Sequence, residues 1–122
     1  MIRAALACFL LSTLPAQAQS VKLKTAEILE LLSGNTAIGL WEGAPYRQFF
    51  DKDGSTIYAQ EGTRSARGEW RAQDDTYESR WPSDTDWEGW FVMEYAGDYF
   101  WVSKSTPPTP FEVIEGKSLD FP

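Results

Sequence analysis

The stretch that decides the fold is RGEWRAQDDTYESRW, residues 67–81. If Asp74 and Asp75 form a two-residue turn, the runs on either side pair as the antiparallel strands of a hairpin. Opposite charges then meet on one face, and large residues meet small ones on the other. The pairs are Arg71 with Glu78 and Glu69 with Arg80 on the first face, and Ala72 with Tyr77, Trp70 with Ser79 and Gly68 with Trp81 on the second. Because a shift by one residue would break both patterns, they predict one register, with the aromatic face inside.

Two further hairpins flank this one. In residues 49–58 the pattern leaves the register open, since either Phe49 with Ile57, or Phe50 with Thr56 and Tyr58, could face inward. The turn of this hairpin alternates acidic and hydroxyl side chains as a calcium loop does, but the position of its glycine favours a tight turn. The later hairpin, residues 86–103, is apolar on both faces and therefore needs cover on its outer side. We expect the N-terminal helix to provide that cover, with the C-terminal tail or a partner as the alternatives.

The chain predicts one helix and many short strands. Residues 25–34 have Thr25 as a candidate N-cap, Gly34 as a stop, and an apolar face made of Ile28, Leu29, Leu31 and Leu32, which suits a lid on a sheet or barrel end. The predicted strands are residues 36–42, 45–50, 56–60, 66–72, 77–81, 86–95, 99–103 and 111–114. Joined by tight turns, they predict a mainly β protein: a small up-and-down antiparallel barrel of seven or eight strands with one short N-terminal helix. A two-sheet sandwich is the alternative.

The first eighteen residues, MIRAALACFLLSTLPAQA, have the pattern of a signal peptide. Arg3 supplies a positive start, an apolar run follows, and Ala16-Gln17-Ala18 forms a cleavage site of small residues. The apolar run is too short for a permanent membrane anchor. We therefore predict cleavage after Ala18, a single domain over residues 19–122, location in the periplasm or outside the cell, and no transmembrane segment.

The composition is aromatic-rich and acidic, and it limits the chemistry. The chain has no His, its one Cys is Cys8, and it carries six Trp, five Tyr and seven Phe, of which only Phe9 precedes residue 19. Without imidazole or thiol in the predicted mature chain, neither a Ser-His-Asp nor a Cys-His set can form, so we expect no enzyme, no cofactor and no metal site. The net charge of −7 also disfavours nucleic acid as a partner.

A resemblance to known proteins rests on Gly39-Leu40-Trp41, which follows the predicted helix and opens the first strand. It resembles the Gly-x-Trp start of lipocalin-like barrels, in which the Trp closes one end. Residues 31–36, 45–50 and 53–58 are also similar to small exported alphaproteobacterial proteins of unknown function. The resemblance implies an exported barrel with a shallow or filled interior, but no activity. Exported bacterial protease inhibitors share this barrel and its Gly-x-Trp start, although they usually carry a disulfide.

Together these features predict an exported, non-catalytic binding protein that carries a small apolar ligand. The candidate ligand-binding residues are Trp41, Arg47, Trp70, Trp81 and Trp101, and Arg47 is either an inward-pointing charge or part of a rim salt bridge. The first alternative is a protein-interaction module, such as an envelope accessory factor or an inhibitor, with a partner surface near Trp87, Trp90 and Tyr99. The second is a carbohydrate-binding protein or a carboxylate-based glycosidase. An open apolar cavity favours the carrier, whereas a filled interior with an exposed apolar patch favours the module.

Overall fold

The structure, a computed structural model, describes residues 19–122, so the predicted signal peptide lies outside the described residues. It contains one helix, α1 (Thr25–Leu32), and nine strands. The strands are β1 (Val21–Lys22), β2 (Asn35–Trp41), β3 (Ala44–Phe50), β4 (Ser55–Gln60), β5 (Ala66–Gln73), β6 (Thr76–Arg80), β7 (Glu88–Tyr95), β8 (Asp98–Val102) and β9 (Thr109–Glu115).

Eight of the strands close into the predicted up-and-down barrel. Each strand from β2 to β9 pairs antiparallel with the next, and β9 pairs back with β2 from Asn35↔Glu115 to Gly39↔Phe111. The sandwich alternative is therefore wrong, because closure leaves no separate second sheet. The sequence did not predict β1, which pairs with Met93 and Glu94 of β7, beyond the part of β7 that pairs with β6.

The β5–β6 hairpin has the predicted register. Asp74 and Asp75 both adopt positive φ, 53° and 57°, as a two-residue hairpin turn of the primed type requires. On the outer face Arg71 Nε lies 2.6 Å from Glu78 Oε1, and Arg80 Nη2 lies 3.0 Å from Glu69 Oε1. On the inner face Trp70 is 5% exposed, and its indole N–H donates to the carbonyl of Asp51 at 2.8 Å.

The β3–β4 hairpin takes the second of the two registers that the sequence left open. Phe50 and Thr56 are fully buried inside the barrel, and Tyr58 shares their face. Phe49 points outward, where the Lys117 ammonium lies 5.6 Å from its ring centroid. The turn is a tight one with Gly54 at φ 95°, and among residues 19–122 no cluster of three or more acidic, His or Cys side chains is arranged to hold a metal ion.

Helix α1 closes one end of the barrel, with Ile28 and Leu32 fully buried in the core. Two details of the helix prediction are wrong. Lys24, not Thr25, is the N-cap, because the Thr25 hydroxyl and N–H both donate to the Asp75 carboxylate at the β5–β6 turn. Leu29 is 40% exposed, since the buried stripe of so short a helix is narrow. Within residues 19–122, α1 is also far too short to be a membrane-spanning helix, and no other candidate span is found there.

The expectation that the helix covers the outer face of the β7–β8 hairpin is wrong. The outward side chains of this hairpin are half-buried: Phe91, Met93, Phe100 and Val102. An eight-residue helix that inserts its apolar stripe into the barrel end has no second apolar stripe for the outer wall. Part of the cover comes instead from β1, whose Lys22 ammonium lies 4.4 Å from the Phe91 ring centroid.

We predict that Trp70→Ala lowers the free energy of unfolding by about 3–5 kcal/mol, because it removes a large buried ring that cannot be replaced by local collapse. Glu69→Ala at the neighbouring position is the matched control. The Glu69 side chain is 57% exposed, and its surface ion pair is worth less than about 1 kcal/mol. Urea unfolding measures both changes. Similar losses for the two variants would contradict the assignment of inner and outer faces.

Candidate functional site

A layer of aromatic rings divides the barrel interior into two halves. The Phe50 ring centroid lies 5.4 Å from that of Trp70, 5.7 Å from that of Tyr77 and 6.3 Å from that of Trp101. The half next to α1 is packed with apolar side chains, including Leu32. The opposite half is not filled.

The unfilled half is a cavity of about 320 Å³, which is at the lower end of the size range of small-molecule sites. It opens to solvent at the barrel end opposite α1, where β2, β4 and β6 end and β7 begins. Inward side chains of six strands and the residue after β6 line it: Trp41, Tyr46, Gln48, Tyr58, Gln60, Tyr77, Ser79, Trp81, Glu88, Trp90 and Trp101. We call this space the aromatic cavity.

Two pairs of rings, nearly perpendicular within each pair, line the aromatic cavity at its mouth. Trp41 and Trp90 meet with centroids 6.0 Å apart and planes at 85°, and Tyr58 and Trp81 meet at 6.2 Å and 76°. Trp81 reaches this position because residue 68 is glycine: a Cβ there would lie only 2.5 Å from Trp81 Cε3. The large-with-small pairing of the hairpin therefore shapes the cavity as well as the sheet.

Hydrogen bonds fix the polar groups on the cavity floor. The Thr56 hydroxyl donates to the carbonyl of Phe49, so it can only accept from Gln48, whose Nε2 lies 3.0 Å away. The same Nε2 donates to the Tyr77 hydroxyl at 3.0 Å. Gln48 Oε1 accepts no hydrogen bond from the described residues. Because every fully buried side-chain oxygen among these residues has a partner, Oε1 is not fully buried, and it reaches the cavity that Gln48 lines. It gives the floor one acceptor for a ligand.

Burial raises the pKa of both phenols on the floor. It raises the pKa of Tyr46 to about 12, a rise opposed by the hydrogen bond that Trp101 Nε1 donates to the Tyr46 hydroxyl at 3.0 Å. Burial also raises the pKa of Tyr77, while the nearby Ser79 and the hydrogen bond from Gln48 Nε2 act in the opposite direction. Both hydroxyls are neutral at physiological pH, as an ordinary tyrosine is, and they remain available as hydrogen-bonding groups.

Among residues 19–122, Glu88 carries the only charge in the cavity lining. It is exposed at the start of β7, and neither ion pair of the described residues includes it. Its field reaches the floor, where it makes a small contribution to raising the pKa of Tyr77 after the larger effect of burial. The cavity therefore combines mostly aromatic walls with one carboxylate at its mouth.

Three of the five candidate ligand-binding residues, Trp41, Trp81 and Trp101, line the cavity. Trp70 lies in the ring layer beneath and packs against Phe50 and Tyr77 instead. Arg47 points outward, where its Nη1 donates to the carbonyl and the hydroxyl of Ser118, at 3.1 and 2.9 Å. It thus holds the C-terminal segment against the wall, neither entering the interior nor pairing with a carboxylate.

The structure does not bring together the residues considered as a partner surface. Trp87 lies on the outer face of the barrel next to two guanidinium groups, with Arg71 4.0 Å and Arg80 4.6 Å from its ring centroid. Trp90 lines the cavity, and Tyr99 packs inside against Phe111 at 5.9 Å. The apolar surface on the outside is formed instead by the outward side chains of the β7–β8 hairpin.

Sequence reasoning missed several lining residues. Tyr46 and Gln48 lie on the same inward face of β3 as Phe50, and Tyr58 and Gln60 lie on the same inward face of β4 as Thr56. The register of that hairpin would have identified them, but its two faces are both apolar in sequence. Glu88 carried no signal, because one carboxylate among eighteen acidic residues is not distinctive.

A wider groove of about 770 Å³ lies on the outside of β2, β3 and β9, next to the C-terminal residues. Four charged side chains line it: Arg47, Glu61, Asp98 and Glu112. The groove has charges of both signs along its lining, whereas the lining of the aromatic cavity is mostly aromatic. The aromatic cavity is therefore the better candidate site.

We predict that alkaline pH destabilises the fold through Tyr46. In the unfolded chain this phenol ionises near its ordinary pKa, whereas folding raises that pKa to about 12. The contribution of the neutral phenol to the stability of the fold is therefore complete below pH 10 and is lost between pH 10 and 12. Two pKa units correspond to about 3 kcal/mol. Urea titrations at a series of pH values should show a shallower decline for Tyr46→Phe, while Tyr95→Phe, at an exposed site, keeps the wild-type slope. An equal decline in the wild type and Tyr46→Phe would contradict this account.

No protein-family model, no curated protein and no solved structure gives a significant match to this chain. The resemblance to lipocalin-like barrels and to small exported alphaproteobacterial proteins stays a prediction from the sequence.

Proposed function

We propose that this protein is an exported, non-catalytic binding protein that holds a small, largely apolar ligand in the aromatic cavity. The observation that carries the proposal is the combination of a closed barrel with a half-filled interior. A cavity of about 320 Å³ that opens to solvent at one end, with seven aromatic side chains around it, is large enough for a ligand with up to three aromatic rings.

The layout of the barrel supports binding in this half. The ring layer around Phe50 and the packing against α1 stabilise the opposite half, so the walls of the cavity stand on a rigid base. The rings at the mouth, Trp41, Trp81 and Trp90, are only half-buried. A ligand that covered them would remove apolar surface from water without first unpacking the core.

The lining also supports binding rather than hydrolysis. Glycoside hydrolysis generally requires two carboxyl groups on either side of the scissile bond. Among the described residues the cavity lining includes one, Glu88. The acids of the β5–β6 hairpin, Glu69 and Glu78, pair with arginines on the outer face.

We predict that the neutral fluorescent probe N-phenyl-1-naphthylamine binds with one saturable site and quenches tryptophan emission. Trp41→Ala and Trp90→Ala each remove one ring of a perpendicular pair at the mouth and should weaken binding about fivefold to tenfold. The titration follows probe fluorescence and tryptophan quenching together.

Trp87→Ala is the matched control, because it removes a half-buried tryptophan from the outer face, outside the cavity lining. It should leave probe affinity unchanged. Absence of saturable quenching, or an equal loss of affinity in the Trp87 variant, would overturn the proposed function. The second outcome would place the probe on the outer wall.

A further inference from the structure

We propose that the ligand of the aromatic cavity is an organic cation, with an alkylammonium or aromatic ammonium group held at the mouth between the tryptophan rings and Glu88. This inference rests on the proposed function and names the ligand class. It follows from the shape of the ring walls and from the sign of the charges around them.

The ring geometry suits a positive charge. The face of an aromatic ring carries negative potential, and a cation is stabilised when several ring faces surround it. Trp41 and Trp90 meet edge to face at 85°, and Tyr58 and Trp81 at 76°, and all four rings belong to the cavity lining at the mouth. Indole has the strongest such face of the aromatic side chains, and four of the seven lining rings are indoles.

The charges near the cavity have the matching sign. Glu88 is the only charged residue in the lining, and its carboxylate has no Lys or Arg nitrogen within ion-pair distance among the described residues. A second carboxylate, Glu42, acts on the rim: after the larger effect of burial, its charge helps to raise the pKa of Tyr58. An anionic ligand would meet this negative potential without a compensating cation.

The nearby arginines are held away from the cavity. Arg71 and Arg80 lie over the outer face of Trp87, and each is paired with a glutamate. Arg47 is bound to the C-terminal segment. On the outer wall, the protein's own arginines therefore cover the Trp87 ring. The rings at the mouth have no Lys or Arg from the described residues over them.

The test compares phenyltrimethylammonium with tert-butylbenzene, which has the same shape and no charge. Each is titrated against the protein by tryptophan fluorescence, and each is also used to displace N-phenyl-1-naphthylamine. We expect the cation to bind about tenfold more tightly than the neutral isostere. Glu88→Gln should reduce this preference about threefold or more, since the substitution removes the charge and keeps the shape.

Glu94→Gln is the matched control. Glu94 lies on the same strand and the same side as Glu88, but near α1 at the closed end of the barrel. It should leave the preference for the cation unchanged. Equal effects of the two substitutions would assign the preference to the net charge of the protein rather than to the site, and would overturn the inference.

The outcomes separate the two proposals. If the neutral probe binds and the cation has no advantage over tert-butylbenzene, the cavity is a carrier site and the cation inference is wrong. If the neutral probe does not bind but the cation quenches tryptophan emission in a Glu88-dependent way, the cavity is a binding site and the cation inference holds, but the proposal that its ligand is largely apolar is wrong. If neither binds, both are wrong.

Discussion

The packing of Phe50 against three other rings is the interaction on which the rest of the structure depends. Trp70, Tyr77 and Trp101 reach Phe50 from β5, β6 and β8, so one fully buried ring joins strands from opposite sides of the barrel. Burial of aromatic surface on this scale is the main stabilising term available to the described domain, which contains no cysteine. The layer also sets the depth of the aromatic cavity, because it forms the boundary between the cavity and the packed half of the barrel.

The difference between the two halves of the barrel follows from this layer. On one side Ile28 and Leu32 of α1 complete a packed core. On the other side the side chains are as large, but they line the wall: Trp81 lies over the backbone at Gly68, and Trp41 meets Trp90 across the mouth. Hydrogen bonds from Gln48 and Trp101 fix the hydroxyls of the floor. A hydrogen-bonded floor with one remaining acceptor, beneath half-buried rings, is the arrangement on which the proposed binding rests.

The sequence allowed the fold and one hairpin to be predicted in detail, and the cavity only in part. The β5–β6 register was accessible because charge pairing outside and size pairing inside agreed on it. The β3–β4 register was not, because Phe49 is apolar and points outward, where Lys117 and the C-terminal segment approach it. Such cover comes from residues distant in the chain, and no local pattern contains it. The same reason hid the tail contact of Arg47 and led us to expect the helix on the wrong surface.

The most direct measurement of the central claim is the ¹⁵N-labelled indole N–H spectrum of the six tryptophans during a titration with N-phenyl-1-naphthylamine. Four indoles line the cavity, whereas Trp70 lies in the ring layer without lining the cavity, and Trp87 lies on the outer wall. The account predicts that the signals of Trp41, Trp81, Trp90 and Trp101 shift together with one saturation curve, while those of Trp70 and Trp87 change least. The largest shift at Trp87, or no shift at any of the four, would contradict it.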